Sequence, residues 1–149
     1  MKNFSLKLVA FGGSLALMQT AFAWDHLSSS FKLVNNTGYD IVVTKTHSYQ
    51  MNTNDDSSAN QTIAKSSNGK INFWGQWKAN NADYDDGMDF SISANGAIIG
   101  YFTINVTNNT WGLTYGIKKN TTNVVLKSNA SDRLHGIKFR STEGEIDIN

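Results

Sequence analysis

The chain of 149 residues contains no cysteine and no proline. Without cysteine there are no disulfides, no thiolate metal sites and no thiol nucleophile. Without proline there is no stiff linker, and strands can run without the ladder gaps that proline imposes. A dominant charge is missing too: 13 Lys and Arg face 12 Asp and Glu, a net charge of +1. That balance excludes a polybasic binder of nucleic acid. Beyond the first residues no apolar run approaches the ~20 residues that a membrane-crossing helix needs.

What is present starts with a leader. Residues 1–23 have the layout of a secretory signal peptide. Lys2 and Lys7 form its positive end, Leu8 to Met18 is apolar apart from Gly12, Gly13 and Ser14, and Ala21-Phe22-Ala23 offers the small residues a signal peptidase needs. The competing reading is an uncleaved anchor, for which the stretch is short and poorly flanked. Without residues 1–23, 126 of the 149 residues remain; two lysines and no acid leave with the leader, so 11 basic side chains face 12 acidic ones and the charge becomes −1. Residues 24–149 are expected to form one domain, secreted or periplasmic after cleavage. An exported chain without cysteine is more in keeping with a bacterial protein than with a small disulfide-rich eukaryotic domain.

Residues 24–149 read as strands and turns. Phe31 to Val34 is a short apolar run closed by Asn35-Asn36-Thr37-Gly38, a turn composition. Tyr39, Ile41, Val43 and Lys45 alternate with Asp40, Val42, Thr44 and Thr46, a period of two rich in β-branched residues. Gln50 to Asn60 is polar and reads as loop. Gln61 to Lys65 and Lys70 to Ala79 read as strands, separated by Ser66-Ser67-Asn68-Gly69. Met88, Phe90, Ile92 and Ala94 alternate with Asp89, Ser91 and Ser93, the cleanest amphipathic strand in the chain. Asn95-Gly96 then marks a hairpin, since both central residues of a type I′ turn need positive φ. Ala97 to Thr107 returns as a long strand, and Trp111 to Ile117, Val124 to Lys127, Leu134 to Arg140 and Glu145 to Ile148 complete the series. No segment keeps helical periodicity over three turns. Turn signals recur every eight to twelve residues, a spacing that predicts an all-β fold: an antiparallel β-sandwich of two packed sheets.

Catalytic signatures are missing. The histidines His26, His47 and His135 stand far apart, with no metal-ligand spacing. No nucleophile elbow, zinc-protease or phosphate-loop motif occurs, so neither an enzyme nor a cofactor is expected. The loop Asp83-Tyr84-Asp85-Asp86-Gly87-Met88-Asp89 gathers four carboxylates beside a glycine. Its spacing fails the EF-hand pattern, because the glycine arrives one residue late and the flanks are strands. A solvated loop that protects a sheet edge is the plainer reading.

The aromatic residues carry more information. On the period of two, Phe73 shares a face with Ile71, while Trp74 points the other way. Phe102 groups with Ile98, Ile104 and Val106, which leaves Ile99 and Tyr101 on the outer face. Trp77 and Tyr84 flank the acidic loop, and Trp111 follows the Asn108-Asn109 turn. Tryptophan and tyrosine near loops suit a lipid headgroup interface or stacking on sugar rings.

Three segments between about residues 30 and 117 resemble the aegerolysin family of small β-sandwich proteins. The first is Val34-Asn35-Asn36-Thr37-Gly38-Tyr39-Asp40-Ile41-Val42-Val43. The second runs from Gly75 through the acidic loop to Gly87-Met88-Asp89-Phe90-Ser91-Ile92. The third runs from Asn95-Gly96 through Ile99-Gly100-Tyr101-Phe102 to Asn109-Thr110-Trp111. The chain departs from the family where cysteine and a Cys-Pro-Trp-Gly-like turn are common; Val106-Thr107-Asn108-Asn109 stands in that turn. The resemblance implies recognition of membrane lipid headgroups, as a haemolysin- or cytolysin-type component acting with a pore-forming partner protein. By matched position it implies Trp74, Trp77, Tyr84, Tyr101 and Trp111 as interfacial aromatics. It implies Asp83, Asp85 and Asp86 as carboxylates facing a cationic headgroup. Two other readings of the same residues stay open: a lectin-like carbohydrate-binding module, and an interaction or inhibitor domain that pairs through a sheet edge.

Overall fold

The computed structural model describes residues 26–76, 87–109, 112–132 and 143–149. The strands are β1 (His26–Asn35), β2 (Ile41–Tyr49), β3 (Met51–Thr53), β4 (Asn60–Ile63), β5 (Asn68–Gln76), β6 (Gly87–Ala94), β7 (Ala97–Asn109), β8 (Gly112–Asn120), β9 (Val124–Ser128), β10 (Ala130–Ser131) and β11 (Glu143–Ile148). One helical turn, α1 (Asp56–Ala59), sits between β3 and β4.

The strands form two sheets. The first has the order β3-β5-β1-β11-β9 and the second β10-β8-β7-β6-β2-β4. The second is antiparallel throughout and curls. The first contains a parallel pair, β1 with β11, in which Phe31 faces Gly144 and Leu33 faces Ile146. The fold is the all-β sandwich expected from the sequence, with that parallel pair at its centre as a refinement. Alternation explains the core. Phe31, Leu33, Ile71, Phe73, Ile146 and Ile148 of the first sheet meet Ile41, Val43, Phe90, Ile92, Phe102 and Ile104 of the second, all essentially without solvent exposure. Phe73 anchors the middle: it stacks on Phe31 at 5.8 Å and meets the edge of Tyr115 at 4.9 Å.

Two glycines have a physical reason. Gly96 follows Asn95 in the β6–β7 hairpin, at φ of +78° and +52°, the conformation the Asn-Gly pair predicts. Gly75 faces inward, where an added Cβ would lie 2.8 Å from the Tyr115 ring. Glycine at position 75 is therefore a packing requirement.

Residues 50–60, expected to be loop, are ordered differently. Met51 enters the core and β3 pairs with β5, Met51 opposite Gly75. Asp55 caps α1 by accepting a hydrogen bond from the Ser58 amide at 2.6 Å. The Ser58 side chain above all, then the Ser57 hydroxyl, which donates at 2.8 Å, and the Ser58 amide hold the Asp55 carboxyl below its usual range. The strand expected over Leu134 to Arg140 and the end of the one expected over Lys70 to Ala79 lie outside the described residues.

Candidate functional site

Of the aromatic and acidic positions singled out from the sequence, Trp77, Tyr84, Trp111, Asp83, Asp85 and Asp86 lie outside the described residues. Trp74 and Tyr101 lie within them, and the fold does not bring them together. Trp74 sits on β5 between inward-facing Phe73 and Gly75, so it stands half-buried on the outer face of the five-stranded sheet, beside Ser28 and Asn52. Tyr101 sits on β7 next to inward-facing Phe102, on the outer face of the six-stranded sheet. The two rings belong to opposite sides of the sandwich.

Around Tyr101 the structure corrects the strand reading. Ile98 was expected in the core with Phe102, Ile104 and Val106. The last three are buried, but Ile98 is 73% exposed. The cause is a β-bulge. Ile92 pairs with Gly100 and Ser93 pairs with Ile98, so Ile99 is an extra residue with no partner of its own. One added residue inverts the alternation of every residue before it. Ile98 then points outward beside Ser93, on the same face as Tyr101.

Tyr39 is displaced for a simpler reason. It alternates with Ile41 and Val43 in sequence, yet β2 begins only at Ile41. Tyr39 therefore belongs to the β1–β2 turn and is 58% exposed. Tyr39, Ile98, Ile99 and Tyr101 thus gather at and beside the end of the sandwich that carries the β6–β7 hairpin. They are four of the six exposed large apolar side chains among the described residues.

This end also holds a depression of about 620 Å³, bounded by Tyr39, Ile99, Asn36, Asn95, Asn123 and Asn149 among others. Its walls are tied down. Asn35, fully buried, donates to the carbonyls of Tyr39, Ile63 and Ala64 at 2.9, 3.0 and 3.0 Å and accepts from the Thr37 amide at 3.0 Å. One side chain thereby fixes the whole β1–β2 turn. Asn123 donates to the carbonyl of Ile99 at 3.2 Å and accepts from the Thr121 hydroxyl, which holds the β8–β9 loop against the bulge. The Asn149 amide N–H donates to the Asn123 carbonyl at 2.8 Å, and the Asn36 amide to Ile148 at 2.7 Å. None of the lining side chains carries a charge.

A smaller groove of about 300 Å³ crosses the outer face of the six-stranded sheet between Thr46, Asp89, Tyr101 and Lys119. Asp89 accepts from the Thr103 hydroxyl at 2.6 Å, and the ring of His47 lies 3.9 Å from its other oxygen. Both groups of that His–Asp pair are about half exposed, so the pair contributes little in water. Among the described residues no three His, Asp or Glu side chains gather as a metal site would require. No helix among them is long and apolar enough to cross a membrane.

Among the described residues the one strongly displaced proton equilibrium is structural. Tyr115 donates to the Leu27 carbonyl at 2.8 Å. Burial raises its pKa far above the ordinary phenol value, and the negative charge of Asp132 adds to the effect.

Sequence reasoning missed Tyr39, Ile98 and the asparagine cluster. The asparagines were visible as turn residues, but turns far apart in the chain carry no sign that they converge. Comparison of the chain with protein-family models and with curated proteins finds no match.

Proposed function

We propose that the protein is exported through its leader and binds the surface of a lipid membrane as a peripheral β-sandwich. The contact is the end bearing Tyr39, Ile98, Ile99 and Tyr101. One observation carries the reading: exposed Tyr39 and Ile99 line one depression, and exposed Ile98 and Tyr101 follow on the outer face of the same strand as Ile99. Tyrosine suits the headgroup layer, with its ring in the apolar boundary and its hydroxyl in water. Isoleucine reaches further in. The near-zero net charge makes general attraction to anionic lipid weak, so adhesion is local. The resemblance of residues 30–117 to aegerolysins agrees with this reading.

Magnitudes limit what the apolar contact does alone. Removing four part-exposed side chains from water contributes about 1 kcal/mol each, or about 4 kcal/mol in all. That corresponds to a dissociation constant of about 1 mM. Useful affinity requires a headgroup contact as well.

The test is co-flotation of the protein with neutral phosphatidylcholine vesicles, with and without sphingolipid and sterol. Wild type floats with at least one mixture, and Ile98→Asp loses most of that binding while its thermal melt is unchanged. Flotation of wild type with no mixture defeats the proposal. Dye release from the same vesicles, alone and with a pore-forming partner, reads out the cytolytic step that the resemblance implies.

A further inference from the structure

The depression between Tyr39 and Ile99 has a chemistry of its own, and we infer that it is a binding pocket for an uncharged sugar ring, the headgroup of a neutral glycolipid. The inference rests on the membrane reading for its source of ligand but not for its chemistry. A pyranose has apolar C–H faces and a rim of hydroxyls that each donate and accept. The pocket offers the complement of both. The Tyr39 ring and the Ile99 side chain supply apolar walls, with Tyr39 exposed enough to stack. The amides of Asn36, Asn95, Asn123 and Asn149 supply donors and acceptors around the rim.

Several of these groups have capacity left. The Asn95 side chain makes no hydrogen bond to another described residue. Asn36 uses only its N–H₂, which donates to the Asn149 side chain at 3.2 Å and leaves its oxygen open. With no charged side chain in the lining, a phosphate or carboxylate finds no counter-ion. A free ammonium finds no carboxylate side chain either. A neutral polyhydroxyl ligand is the class that these amide side chains match. Volume agrees: about 620 Å³ admits one or two sugar rings.

Rigidity adds to the case. The buried Asn35 network, the Asn95-Gly96 turn and the Asn123 tether hold the three walls before any ligand arrives. A preformed site loses little freedom on binding. Exposed Ile98 stands between the lining residues Ala97 and Ile99, so a sugar seated in the pocket leaves the lipid chain beside that apolar side chain.

The experiment uses the exported protein and two probes. One is phosphatidylcholine vesicles with and without hexosylceramide. The other is a panel of free methyl hexopyranosides, followed by chemical-shift perturbation. Wild type is expected to bind hexosylceramide vesicles about tenfold more tightly than plain vesicles, with free hexoside competing. The double variant Asn36→Ala/Asn95→Gly is expected to lose about tenfold in hexoside binding. Glycine keeps the positive φ of the turn, and a far-UV spectrum and thermal melt verify folding.

Equal binding to both vesicles, with no shift by any hexoside, overturns the pocket and leaves the membrane reading standing. Hexoside shifts at Tyr39 and Ile99 without flotation on any vesicle support the pocket and overturn the membrane reading. Hexoside binding that the double variant retains in full places the sugar elsewhere and overturns the inference.

Discussion

The two sheets bury similar faces and show different ones. The outer face of the five-stranded sheet is a ladder of opposite charges. Lys32 pairs with Glu145 at 3.2 Å, Lys70 with Glu143 at 3.7 Å and Lys127 with Asp147 at 3.1 Å, across β5, β1, β11 and β9. The outer face of the six-stranded sheet is mostly hydroxyls around apolar groups. Tyr101 lies beside Ser91, and Ile98 beside Ser93, with Thr44 and Val42 on the next strand. Seating the first face on lipid would strip water from three ion pairs, whereas on the second the strip around Ile98 and Ser93 carries hydroxyls and its charged groups, Asp89, His47 and Lys119, lie on the other side of Tyr101. The two sides of the sandwich therefore differ in what contact with the proposed membrane would cost them. Trp74, on the charged side, then reads as a cover for β1 and β3 rather than as part of a shared contact with Tyr101.

This contrast can be broken first at the side the sheets share. Phe73→Ala removes the ring that joins Phe31 to Tyr115 and is expected to cost about 3–5 kcal/mol in a urea melt. Gly75→Ala forces a methyl group into the buried Tyr115 ring and is expected to cost about 1–3 kcal/mol.

Tyr115→Phe removes the hydrogen bond to the Leu27 carbonyl and is expected to cost about 1 kcal/mol near neutrality. The variant also changes alkaline behaviour. Above the ordinary phenol value of 10.0 the unfolded tyrosine loses its proton while the folded one keeps it. The unfolded state then binds fewer protons, so wild-type stability declines as pH rises beyond 10.0. Melts of Tyr115→Phe over that range are expected to be flatter.

Smaller effects sharpen the outer-face contrast itself. Lys32→Ala on the charged side is expected to cost at most about 1 kcal/mol, with the loss shrinking in high salt and vesicle flotation unchanged. Ser93→Lys on the hydroxyl side, next to Ile98, is expected to shift stability by less than about 0.5 kcal/mol yet to reduce flotation. Equal flotation losses from the two would erase the distinction between the faces.

The smallest effect belongs to Asp55. Its carboxyl is held low in the folded state, so its contribution is present above the ordinary value of 3.8 and is lost as pH falls through the folded value. Asp55→Ala is expected to lessen the acid dependence of the melt over that window.

Much of the fold was legible in the sequence, for reasons that can be named. Period-two alternation marked β2, β6 and most of β7, because a half-buried strand must alternate. Asn95-Gly96 marked its hairpin, because few other residue pairs tolerate two positive φ values. The bulge at Ile99 was not legible: whether a residue is extra depends on the partner strand, which local spacing does not reveal. β3 was not legible because its three residues gain their order from β5, some twenty positions later. Of the candidate site, Tyr101 was legible as an outward aromatic and Ile98 was assigned to the wrong face. The depression was invisible, since its walls come from four distant parts of the chain.

By itself the sequence determined the chemistry available: no thiol, no proline, little net charge, and strands with asparagine- and glycine-rich turns. Those properties belong to single residues and their near neighbours. Only the tertiary structure decided which faces those residues present. Strand pairing set the phase of Ile98, paired β1 with β11 in parallel, separated Trp74 from Tyr101, and drew Tyr39, Ile99 and distant asparagines around one depression. Each of these is a relation between residues far apart in the chain, fixed when burial of the common core brings the two sheets together.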